Sequence, residues 1–190
     1  MKNSFIFIVL IVIFSSVNLS YSQSQESFKE LVKLLSIKYS NDSSLKEKIN
    51  TTQIKCNYLI ADESKKIEVL YSLIPAENYK DNLLNKIYKN IALQSLVKFS
   101  QASDGLLSGE KLITEFDNLN VKKEFNADWG GTSSFKFTSD RFCKYKFCII
   151  LFLYKKDKGL AITYFLFDKE SVGLQEVENN FHNLTFIRQN

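Results

Sequence analysis

The sequence predicts an α+β domain with N-terminal helices packed on a C-terminal antiparallel β-sheet, and three observations carry that reading. Residues 144–167 form two arms of alternating apolar side chains, with Tyr145, Phe147, Ile149, Leu151 and Leu153 on one face of the first arm. Residues 76–102 place Tyr79, Leu83, Leu84, Ile87, Tyr88, Ile91, Leu96 and Phe99 in one stripe of helical period. Beyond Val121 the texture turns to aromatic alternation and turn residues, whereas helical spacing dominates before it.

Ahead of the domain, Lys2, the apolar run Phe5 to Phe14 and the small-x-small triplet Ser20, Tyr21, Ser22 have the parts of a secretory signal peptide at 1–22. The run is about half the roughly 20 apolar residues that a spanning helix needs, so cleavage after Ser22 is expected rather than anchoring. The expected product, residues 23–190, is a single domain of roughly 170 residues without an integral membrane segment. Its localisation would be secreted or periplasmic.

Residues 27–39 carry Phe28, Leu31, Val32, Leu34, Leu35 and Tyr39 near helical spacing and predict a first amphipathic helix. Ser44 followed by Glu47 has capping-box spacing and predicts a short helix over 45–50. Residues 53–73 fit both periods, since Ile54, Cys56, Tyr58 and Ile60 alternate while Ile67, Leu70, Tyr71 and Ile74 match a helix. Asp62 and Ser64 as caps and Pro75 as a stop favour helix there. The stripe over 76–102 is the longest helix, and a shorter one is expected over 108–116. Phe135 and Phe137 alternate in a strand, and Ser139 with Asp140 turns the chain into the central hairpin. The hairpin closes on the lysine-rich loop Lys155 to Gly159. Leu174, Val177 and Phe181 then predict a helix, and residues 184–187 a last strand. Helices followed by an antiparallel sheet are similar to the element order of NTF2-like and cystatin-like folds over the last hundred or so positions, a resemblance of order with no motif in it.

Twenty-five basic and 21 acidic residues give a formal charge of +4, and the leader removes one lysine from it. Basic and acidic residues alternate along the chain, so no nucleic-acid footprint is expected. Lys144, Lys146, Lys155, Lys156 and Lys158 can form a positive strip, although protection of a strand edge accounts for them more simply. Three cysteines entering an oxidising compartment allow one disulfide. Cys143 and Cys148 can pair if residues 144–147 turn, and point to opposite faces if the strand runs straight; Cys56 is the alternative mate. With His182 they show none of the close paired spacings of a zinc site, and no metal or cofactor is expected.

His182 is the sole histidine, and its neighbours Asn179, Asn180 and Asn183 read as surface. Residues 105–111 lack the spacing of a phosphate loop, and no serine-hydrolase elbow or paired-histidine zinc motif occurs. The most distinctive local feature is Asp128, Trp129, Gly130, Gly131, which predicts either a pocket rim with Asp128 and Trp129 as binding residues or a tryptophan plugging the end of a sheet. Asn41, Asn50 and Asn183 head glycosylation patterns. Together these predict a non-enzymatic exported binding module that takes a protein or a small apolar ligand, with no catalytic residues assigned. The alternatives are a small secreted hydrolase or isomerase using carboxylates such as Asp128 and Asp140, and a structural envelope component.

Overall fold

A computed structural model describes residues 25–41, 44–102, 112–138 and 144–188. Within them the chain is an α+β structure built on one seven-stranded antiparallel sheet. Four α-helices accompany it: α1 (Gln25–Leu34), α2 (Leu84–Ala102), α3 (Asn118–Phe125) and α4 (Glu170–Asn180). The strands are β1 (Ile37–Tyr39), β2 (Lys46–Glu47), β3 (Tyr58–Asp62), β4 (Ile67–Pro75), β5 (Thr114–Glu115), β6 (Trp129–Lys136), β7 (Phe147–Lys155), β8 (Gly159–Phe167) and β9 (Leu184–Phe186). The sheet runs β2-β3-β4-β8-β7-β6-β5, and β1 pairs with β9 in a separate ribbon.

The predicted hairpin is the middle of this sheet. β7 and β8 pair from Phe147 opposite Phe167 to Lys155 opposite Gly159, with Asp157 in the left-handed region of the turn (φ 60°). Both strands are buried along almost their whole length because both faces are covered. On one face α2 lays Leu84, Ala92, Leu96 and Phe99 against Ile150, Phe152, Ile162 and Tyr164. Phe99 stacks on Tyr164 at 5.6 Å, and Tyr88 on Tyr154 at 3.8 Å. On the other face Phe28 of α1, Val121 and Phe125 of α3, Val177 of α4 and the β1–β9 ribbon close over Val69, Tyr71, Leu151 and Phe165. Within α4, Gly173 is required by contact: a Cβ there would run into the ring of Phe167.

Four sequence expectations are corrected. Residues 53–73 are not helical; β3 and β4 form a hairpin, and β4 extends the sheet through a nine-residue ladder to β8. Local chemistry is the reason for the ambiguity, because an aspartate that can cap a helix can equally close a turn. Here Asp62 Oδ1 accepts from the backbone N–H of Ser64 (2.9 Å) and Lys65 (3.2 Å), and Lys66 takes a positive φ of 52°. Pro75 ends a strand rather than a helix, opposite Gly159.

Residues 46–47 likewise pair with β3 instead of forming a helix, and Ser44, the expected cap, donates its hydroxyl to Asp62. The first helix stops at Leu34: Ser36 turns left-handed (φ 53°), and Ile37–Tyr39 finds a strand partner in Leu184–Phe186. The helix expected over 108–116 is replaced at its described end by β5, which runs so close to β6 that a Cβ on Gly131 would sit 2.8 Å from the carbonyl oxygen of Thr114. Its earlier part, the turn at Ser139 and Asp140, and Cys143 lie outside the described residues. The expected last helix and last strand are α4 and β9. Four strands, β1 to β4, therefore stand among the N-terminal elements, and no helix of the described residues is long and apolar enough to cross a membrane.

Candidate functional site

A concavity on the surface is set by three chain segments that are far apart in sequence. One is α3, which the sequence reading missed. Asp117 caps it by accepting at Oδ1 from the N–H of Leu119 (2.9 Å) and Asn120 (3.2 Å), and Val121 and Phe125, four apart, face the core. Asn126 ends it in the left-handed conformation (φ 50°), a common way to close a helix. That signal, an aspartate cap followed by an apolar i,i+4 pair and an asparagine stop, was present but short. The helix puts Lys122 and Lys123 on its exposed last turn, where cations suit the helix dipole.

The second segment is the β7–β8 turn with Lys155, Lys156, Asp157 and Lys158. The third is Phe186, Ile187 and Arg188 at the end of β9, with Ser36 beside them. Hydrogen bonds tie the β9 end to its neighbours: the N–H of Ile187 donates to the carbonyl of Ser36 (2.7 Å), and the side-chain Nδ2 of Asn126 at the end of α3 donates to the carbonyl of Phe186 (3.3 Å). Together they line a concavity of about 870 Å³ with Leu119, six basic side chains and one acidic one. The entire chain has a formal charge of only +4, so this wall gathers more positive charge than the chain carries net.

The carboxylates nearby are already engaged. Asp157 Oδ1 accepts from Asn85 Nδ2 of α2 at 2.7 Å. Asp128, at the start of β6, accepts at Oδ1 from Lys122 Nζ (2.8 Å) and at Oδ2 from the N–H of Lys156 (2.9 Å), with Lys155 Nζ at 3.7 Å. Burial works against the Asp128 charge, but the Lys122 and Lys156 bonds and the Lys155 charge outweigh it and hold its carboxyl below the usual range. Lys155 is the most enclosed of these cations; burial, with Lys122 beside it, pushes its amine below the usual lysine value. Lys122 moves the opposite way through its bond to Asp128. The concavity thus holds two lysines on one aspartate, and Lys123, Lys156, Lys158 and Arg188 around them.

Asp128 and Trp129, the sequence-predicted binding pair, part company: Asp128, just before β6, meets Lys122, Lys155 and Lys156, while Trp129, the first residue of β6, packs into the core under α2. Asp128 reaches the basic concavity as a counter-ion. Trp129 is buried under α2, edge-on to Tyr88 at 5.3 Å, with Lys89 Nζ 5.5 Å from its ring, and Nε1 meets no acceptor among the described residues. Gly130 and Gly131 are strand residues in β6, not a loop.

Of the five lysines of the strip, Lys155, Lys156 and Lys158 join this wall, while Lys144, before the other end of β7, lies 3.4 Å from the buried Glu68. Glu68 also pairs with Lys48 at 3.4 Å. Asp140 and Cys143, the second carboxylate and the expected disulfide mate of Cys148, lie outside the described residues. Cys148 is buried beneath α2, and burial raises the Cys56 thiol to about 12. His182 is at the surface, 3.3 Å from Glu124 Oε2 and stacked on Phe125. Asn183, one of the three glycosylation candidates, is buried: its amide donates to Tyr71 Oη (3.3 Å) and Asn180 Oδ1 (2.8 Å).

No family model, curated protein or solved structure matches the chain. The similarity to NTF2-like and cystatin-like folds thus stays one of element order, and the site has to be interpreted from its own chemistry.

Proposed function

We propose that the chain is an exported binding module without catalytic chemistry, and that its ligand is a compact anion with several negative charges, held in the basic concavity. The observation that supports this most is the convergence of Lys122, Lys123, Lys155, Lys156, Lys158 and Arg188 on one open volume, whose two nearby carboxylates are occupied by Asn85 and by the lysines themselves. Cations that repel one another along this wall gain most from a ligand that neutralises several at once. This replaces the apolar small ligand expected from the aromatic content, because the aromatics are spent on the two faces of the sheet. Against the hydrolase reading, Asp128 is held in its ionised form, the wrong direction for a general acid. The N-terminal apolar run supports export.

The test is calorimetric titration with tripolyphosphate at low and at high salt. Binding should weaken steeply with salt, and Lys155→Gln with Lys156→Gln should lower affinity about 10- to 100-fold, as expected for losing two charge-assisted contacts in a partly exposed site. Equal affinity in the double variant sinks the proposal.

A further inference from the structure

The basic concavity has an apolar component that a soluble anion leaves unexplained. Leu119, on the first turn of α3, is 80 % exposed, and Ile187, just past β9, is 51 % exposed. Single exposed apolar residues are ordinary on a protein surface. These two both border the volume that the six cations line. Resting on the anion-site reading, we propose that the anion is presented by a membrane: this face docks on an anionic bilayer, with lipid headgroups among the lysines and with Leu119 and Ile187 entering the headgroup boundary.

Two features favour a bilayer over a protein partner. Five of the six cations are lysines, a residue depleted from protein interfaces but suited to diffuse attraction by a charged surface. The apolar members are aliphatic and flank an open concavity, whereas protein interfaces centre on buried aromatic or arginine anchors. Firm attachment to a membrane surface takes two signals, and here a polybasic patch and an apolar pair share one face. Because Leu119 and Ile187 are exposed, removing them leaves the folded chain's interior intact.

The experiment is flotation of the full chain with phosphatidylcholine vesicles containing about 30 % phosphatidylglycerol or none, run beside titration with tripolyphosphate. The apolar run at residues 5–14 is common to every variant, so differences between variants report on this face alone. The expected result is binding that requires phosphatidylglycerol, falling at least about tenfold in Leu119→Ser with Ile187→Ser while tripolyphosphate affinity is kept. Lys155→Gln with Lys156→Gln should lose both. If the Leu119/Ile187 variant or the Lys155/Lys156 variant floats as the parent does, the membrane inference is overturned, and the tripolyphosphate titration decides the anion site separately. If neither vesicles nor tripolyphosphate bind the parent chain, both readings fall.

Discussion

Asp128→Asn should move stability and ligand affinity in opposite directions. The carboxylate accepts from Lys122 Nζ at 2.8 Å and from the N–H of Lys156 at 2.9 Å, and it has a second lysine at 3.7 Å. An amide keeps the shape but loses the charge. Hydrogen bonds to charged groups contribute roughly 1.5–3 kcal/mol each when sheltered and less at an exposed site, so the loss should be about 1–2 kcal/mol in total. For a domain of this size that is a fall in Tm of about 3–6 °C. Affinity for a bound anion should rise, because a negative charge about 7 Å from the ligand, at an effective dielectric near 40, opposes each unit of ligand charge by about 1.2 kcal/mol, so the gain should be at least roughly sevenfold.

The sign with pH follows from the same contacts. The folded-state pKa of Asp128 is depressed, so its contribution is fully present above the ordinary aspartate range and disappears as pH falls through the lower folded value. The stability gap between parent and variant should therefore close below about pH 4. Thermal melts across pH and titration with tripolyphosphate measure both halves. An Asp128→Asn protein that binds the anion no better than the parent would refute the idea that Asp128 competes with the ligand for the lysines.

Two further outcomes concern the sheet. Gly173→Ala places a methyl against the buried ring of Phe167; although alanine favours helices by about 1 kcal/mol, overpacking should dominate and destabilise the chain by about 1–3 kcal/mol in urea unfolding. A stabilised variant would show that α4 can shift away from the sheet. Glu68 is 1 % exposed and has both Lys48 and Lys144 at 3.4 Å. Lys48→Met with Lys144→Met should cost about 3–5 kcal/mol by leaving that charge buried and unpaired, and adding Glu68→Leu should restore most of it. No recovery in the triple variant would mean that the lysines matter through packing rather than charge.

Much of the fold was legible because some patterns admit only one period. The aromatic alternation of residues 147–167 around a charged turn gave β7 and β8, and the stripe from Leu84 to Phe99 gave α2. Where both periods fit, local pattern misleads: Asp62 has the chemistry of a helix cap but closes a hairpin, and Ile67 to Ile74 has the spacing of a helix face but lies beside β8. Strand pairing is a contact with a distant partner, and nothing within residues 53–75 encodes the presence of Phe165 or Tyr164. For α3 the limit was length, since eight residues give little more than two turns of pattern.

By itself the sequence determined which residues must be hidden and the period in which most of them recur, because burial of apolar area is a property of each side chain and its neighbours along the chain. Only the tertiary structure decided where the charge collects. Lysines at 122, 123, 155, 156 and 158 and the arginine at 188 stand among acids in the linear order, and they become one site when α3, the β7–β8 turn and the end of β9 are brought together. Electrostatic interaction depends on separation in space, which spacing along the chain does not report.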